Sequence, residues 1–72
     1  MDYLSIAMGK NIRKLRKAKG MSQWNLADEL YTDAGSICRW EKGAFTPSAH
    51  HILMIVRALG CSFEDLYKGC EG

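Results

Sequence analysis

The stretch Met21–Gly43, MSQWNLADELYTDAGSICRWEKG, decides the fold of this chain. Ser22 is a good N-cap, because its hydroxyl can accept a hydrogen bond from a free first-turn backbone amide. Trp24, Ala27 and Leu30 then recur at spacing three, which predicts an apolar stripe on a helix from about Gln23 to Tyr31. Tyr31, Thr32 and Asp33 break the stripe, and Asp33 is a second N-cap. A further helix is expected over about Ala34 to Lys42. On it Ile37, Trp40 and Glu41 share one face, while Gly35, Cys38, Arg39 and Lys42 point the other way. Gly43 closes it, since glycine takes the left-handed position after a helix without a Cβ clash. Two helices this short, joined by so tight a turn, must cross steeply.

That crossing is the helix-turn-helix geometry, spanning about residues 22–43, whose second helix lies in a DNA major groove. Ser22-Gln23, Leu26-Ala27, Ile37, Trp40-Glu41 with Gly43, Pro47-Ser48 and Leu59-Gly60 together resemble the Cro/lambda-repressor type of helix-turn-helix, the XRE family. The resemblance runs from about Gly9 to Leu66. It implies an all-α fold, a compact five-helix lambda-repressor-like DNA-binding domain. By the same resemblance Arg16 pairs with Glu41, Gln23 contacts a DNA phosphate, and Ala34, Gly35, Ser36 and Arg39 face the bases. Physical chemistry agrees at two points. A helix N-terminus attracts an anion, and an arginine can donate two hydrogen bonds to guanine O6 and N7. Gly35 brings no side chain and only permits close approach. The turn departs from the family, which usually has glycine where Tyr31 stands and a small apolar residue where Thr32 stands. Either the backbone at Tyr31 is strained or the turn differs.

Seventy-two residues allow one domain, 1–72, and a domain this small buries only about 60% of its unfolded surface. A hydrophobic fraction of 47% with 25% charged residues argues against disorder. Net charge is +2, a mild hint of nucleic acid, but Lys10, Arg13, Lys14, Arg16, Lys17 and Lys19 put six of the ten basic residues into one run. Read alone, that run is equally a solvated helix face. Cys38, Cys61 and Cys70 are odd in number with no CxxC spacing, and read as reduced thiols of a cytoplasmic protein of bacterial or phage type, associated with the nucleoid. Nothing approaches a membrane span.

Outside the central stretch, Leu4, Met8, Ile12 and Leu15 predict an amphipathic helix over Tyr3–Lys19, with Gly9 weakening it by about 1 kcal/mol. Lys42, Thr46 and Ser48, with nearby backbone amides, are expected on phosphates across the groove. Ser48 should cap a helix over Ala49–Leu59, with Ile52, Leu53, Ile55, Val56 and Leu59 in the core. His50 and His51 are adjacent, lack the i, i+4 relation of a zinc site, and read as partly exposed polar residues. Ser62 with Asp65 suggests a capping box for a last helix, Phe63–Tyr67.

No catalytic constellation, cofactor motif, metal site or small-molecule effector site is visible, so an enzyme is not expected. Three readings remain: a sequence-specific DNA-binding regulator, a protein-interaction module such as an antitoxin-like subunit, and a redox or metal switch built on Cys61, Cys70 and the histidines. The first is the expectation: a stand-alone, Cro-like repressor without a separate effector domain. A recognition helix with few long readers should bind weakly alone, so a homodimer on a palindromic double-stranded operator is expected. Phe63, Leu66 and Tyr67 are the expected dimer surface, and Tyr3 and Leu4 the alternative.

Overall fold

The computed structural model of the protein describes residues 2–70. They form five helices, α1 (Tyr3–Ala18), α2 (Gln23–Glu29), α3 (Ala34–Glu41), α4 (Ala49–Leu59) and α5 (Phe63–Tyr67), with no strand among the described residues. Each start is written in one side chain. Asp2, Ser22, Asp33, Ser48 and Ser62 sit in extended backbone and accept the amide three residues on. Asn25 and Asp65 return the bond to the cap amide, so α2 and α5 both begin with capping boxes.

The ends share a second device. After α1, α3 and α4 a glycine with positive φ, Gly20, Gly43 or Gly60, reverses the chain. The residue after each glycine donates its amide five residues back: Met21 to the Arg16 carbonyl, Ala44 to Arg39 and Cys61 to Val56. α2 ends in the same way without a glycine. Thr32 donates to the Ala27 carbonyl at 2.9 Å, and Tyr31 itself takes φ 54°. α1, α2 and α3 accordingly stop one or two residues before the expected ends.

The core gathers Met8 and Ile12 from α1, Leu26, Ala27 and Leu30 around α2, Ile37 and Trp40 from α3, Ile52, Ile55, Val56 and Leu59 from α4, and Leu66 from α5. Three expected core residues lie on the surface. Trp24 is 72% exposed, because the buried ridge of α2 runs through Leu26, Ala27 and Leu30 and leaves Trp24 behind it. Leu4 is exposed because α1 turns Ser5, Met8, Gly9, Ile12 and Arg16 inward instead. Leu53 flanks the inward row of α4 rather than belonging to it. Leu66 is also corrected. It is 0% exposed, filling the core of its own domain, so it is no part of a dimer surface.

Gly9 has a reason the sequence pattern hides. A Cβ there would lie 2.7 Å from the Glu41 carbonyl oxygen and closer still to that of Trp40. Backbone meets backbone where α1 crosses the end of α3. Asn11, on the same helix, donates from Nδ2 to the carbonyls of Leu66 (2.7 Å) and Lys68 (2.9 Å) and so ties the end of α5 to α1.

Candidate nucleic-acid interface

The outward face of α3 is defined by what holds its inward face. Ile37 is fully buried and Trp40 nearly so. Glu41 receives Arg16 through both carboxylate oxygens, Nε to Oε2 at 2.6 Å and Nη2 to Oε1 at 3.0 Å. The two side chains are 9% and 4% exposed. Such a pair needs its remaining polar atoms satisfied to persist in a core. Arg16 Nη1 donates to the Met21 carbonyl at 2.7 Å, and Gln23 Nε2 donates to Glu41 Oε1 at 3.1 Å. The hydrogen bond to Glu41 pushes the Arg16 pKa further up, against the opposing effect of burial. One carboxylate therefore joins α1, α2 and α3. Gln23, read in the sequence as a phosphate contact, is also a spoke of this hub.

Between α2 and α3 the chain passes through Tyr31, 90% exposed and in the left-handed region. The turn keeps glycine's geometry with a tyrosine in it, so of the two options the strained backbone is the one realised. A left-handed non-glycine residue costs on the order of 1 kcal/mol.

Beyond the turn Ala34 and Ser36 are half-buried at the head of α3, while Gly35 and Arg39 are exposed. The Arg39 guanidinium folds back toward that head, with Nη2 3.5 Å from Ser36 Oγ and 3.8 Å from Asp33 Oδ1. Asp33 Oδ1 also accepts the Ser36 amide at 2.6 Å. Hydrogen bonds from Ser36, and then the nearby Arg39 charge, hold the Asp33 carboxyl below its usual pKa. Cys38 is half-buried on the same helix.

Lys42 caps α3 and is exposed. Thr46 is exposed, but its hydroxyl bonds the Ser5 hydroxyl. The Ser48 hydroxyl accepts the His51 amide at 3.3 Å and meets His51 Nδ1 at 2.9 Å. Both hydroxyls thus have structural work of their own. The His51 ring stacks obliquely on Trp40 at 5.1 Å and lies 5.7 Å from the His50 ring. Among the described residues no group of three or more His, Cys, Asp or Glu is placed to hold a metal ion. Burial first, and then the Asp65 charge, push the Cys61 thiol above its ordinary pKa, which disfavours the reactive thiolate.

The basic run of α1 divides. Arg16 is consumed by Glu41, and Lys19 reaches the α4–α5 corner, its Nζ 3.4 Å from where a Gly60 Cβ would stand. Residues 12–66 match the family model described as helix-turn-helix. The chain belongs to this family. This helix-turn-helix protein is a DNA-binding domain of the XRE type. It is 27% identical over 62 residues to the HTH-type transcriptional activator BcrR of Enterococcus faecalis, matching 86% of the chain but only 30% of that relative's length. Among solved structures, the restriction-modification controller protein C.AhdI of Aeromonas hydrophila superposes with a TM-score of 0.81 at 32% identity, over 86% of this chain and 94% of that one. The P22 c2 repressor, in complex with a synthetic operator, gives 0.80, also at 32% identity over 86% and 94%. The clp gene regulator ClgR of Corynebacterium glutamicum gives 0.84 at 28% identity, over 88% and 67%. No helix among the described residues is long and apolar enough to cross a membrane.

Asn11, Gly9 and the Gln23–Glu41 bond were missed by sequence reasoning, because each is defined by a partner at least eighteen positions away.

Proposed function

We propose that the protein is a sequence-specific regulator that lays α3 in the major groove of double-stranded DNA and acts as a Cro-like repressor by occupying its operator. The observation that supports this best is the asymmetry of α3. Its inner edge is fixed by Ile37, Trp40 and the Arg16–Glu41 pair, while the Arg39 side chain remains 51% exposed on the outer edge. A helix so held, with one exposed planar donor fork, is suited to reading a base edge.

In this reading Arg39 takes guanine, while Ala34 offers a methyl contact and Ser36 a hydroxyl. Gly35 leaves room for close approach. Gln23 and Lys42 contact phosphates, and the chain around Thr46 and Ser48 adds backbone amides rather than its occupied hydroxyls. Two copies related by a two-fold axis would set their reading helices in successive major grooves of a palindromic site, about 34 Å apart. With Leu66 buried, Phe63 and Tyr67 remain as the joining surface, and Tyr3 and Leu4 are the alternative. Its place of work is the cytoplasm, on the nucleoid.

Selection of bound sites from a random duplex pool, followed by shift assays across salt, tests the reading. A palindromic consensus with a steep salt slope is expected. Lys42→Ala should weaken all DNA alike and lower the slope by about one unit. A pool that returns no consensus refutes the reading.

A further inference from the structure

The head of α3 carries an arrangement that the reading above does not use. Asp33 closes the helix as its N-cap, and the same carboxylate oxygen stands 3.8 Å from Arg39 Nη2. Ser36 Oγ accepts from the same nitrogen at 3.5 Å. Residue 35 lies directly beneath. A Cβ added there would come within 3.2 Å of Asp33 Oδ1, 3.3 Å of Arg39 Nη1 and 3.7 Å of Nη2. A side chain at position 35 would therefore press on both groups and shift the guanidinium and the carboxylate by a few tenths of an ångström. Gly35 is in ordinary helical backbone, since its φ is not among the positive ones, so conformational freedom does not explain it.

We propose that Asp33 is a positioning residue for Arg39, steering its guanidinium toward guanine, and that the missing side chain at Gly35 makes the room. The inference rests on α3 being the reading helix. A free arginine side chain samples many rotamers, and ordering it on a base costs conformational entropy. Both intramolecular contacts fall on Nη2, whereas a guanidinium has five N–H donors. At 3.8 Å the Asp33 contact is a charge pairing rather than a hydrogen bond, so Nη2 spends one N–H on Ser36 and keeps the other, and with the N–H groups of Nη1 and Nε the fork can still reach guanine O6 and N7. The carboxylate has a second effect. An Arg39 already paired with an anion is drawn less strongly to a phosphate, which favours base contact over sequence-blind contact.

Asp33→Asn and Gly35→Ala separate positioning from folding. Asparagine caps a helix about as well as aspartate, so Asp33→Asn should keep the domain folded while removing the charge and the small stabilisation that an ionised cap adds at a helix N-terminus. Gly35→Ala should not lower the melting temperature, since alanine favours helix. On the site selected by the wild-type protein, each variant should lose about 2- to 5-fold of the preference for guanine over the other bases at the Arg39 position, the scale of one exposed charged contact. Arg39→Ala should lose that preference altogether. If both variants keep the full guanine preference where Arg39→Ala loses it, the positioning role is overturned and the reading helix stands. If Arg39→Ala returns the wild-type consensus, or the wild type selects none, the reading itself fails and the inference with it.

Discussion

Alanine at position 9 sets two physical rules against each other. In an isolated helix Gly9→Ala stabilises by about 1 kcal/mol, because glycine loses the most backbone freedom on folding. In this protein the new methyl would stand 2.7 Å from the Glu41 carbonyl oxygen and nearer to that of Trp40. Carbon and carbonyl oxygen rest comfortably at about 3.3 Å or more, so α1 and α3 must separate by roughly 0.6 Å at least. Both obstacles are backbone atoms and cannot rotate aside. Overpacking costs about 1–3 kcal/mol, and a clash with backbone belongs at the upper end. After the helix gain is subtracted, a net loss of about 2 kcal/mol is expected. For a domain of this size that lowers the melting temperature by about 8–16 °C. Thermal unfolding followed by circular dichroism measures it, with a surface glycine-to-alanine change as reference. The sign decides. A variant that melts at or above the wild-type temperature would refute the backbone contact between α1 and α3.

Glu41→Ala strands the buried Arg16 charge and should cost about 3–5 kcal/mol in urea unfolding; a loss below about 1 kcal/mol would mean that Arg16 finds water instead. Tyr31→Gly removes the left-handed strain at a side chain that is 90% exposed, and should raise stability by about 1 kcal/mol. A fall would show that the tyrosine ring makes a contact that outweighs the strain. Acid should weaken the helix starts. Asp2, Asp33 and Asp65 all have folded pKa values below the ordinary 3.8, chiefly through backbone hydrogen bonds from Ser5, Ser36 and Ser62. Their contribution is therefore complete above that value and disappears as pH falls through the lower folded values. Helicity flat at neutral pH and declining only below about pH 3.8 is expected; a decline already near pH 6 would place the sensitivity elsewhere.

Much of the frame was legible because the signals are local. Every helix start is an Asp or Ser that bonds an amide three residues away, and three of the helix ends are glycines. The Arg16–Glu41 pair came from the family pattern rather than from spacing. The inward face of α1 was misread for a physical reason. It carries Ser5, Gly9 and Arg16 beside Met8 and Ile12, and their burial is decided by α3 and the loop after it. Hydropathy ranks Leu4 above Ser5, but the Ser5 hydroxyl has a partner in Thr46, forty-one positions away. The same holds at the surface. Phe63, Leu66 and Tyr67 look equivalent in a five-residue helix, and only its docking against α1 shows that Leu66 is the one swallowed.

The two ends of α3 are secured unequally. At its far end Trp40 and Glu41 press on α1 and the Glu41 carboxylate is bonded from two helices, whereas its near end is held by the buried Ile37 and by a capping aspartate that follows a strained tyrosine, with no ion pair to a neighbouring helix among the described residues. A rod clamped at one tip swings about that tip. Small tilts of α3 should pivot near Glu41 and sweep residues 34–36 through the widest arc, so amide hydrogen exchange should be quickest there and slowest toward Trp40. Contact with DNA would then arrest the loose end of a lever whose fulcrum is already set.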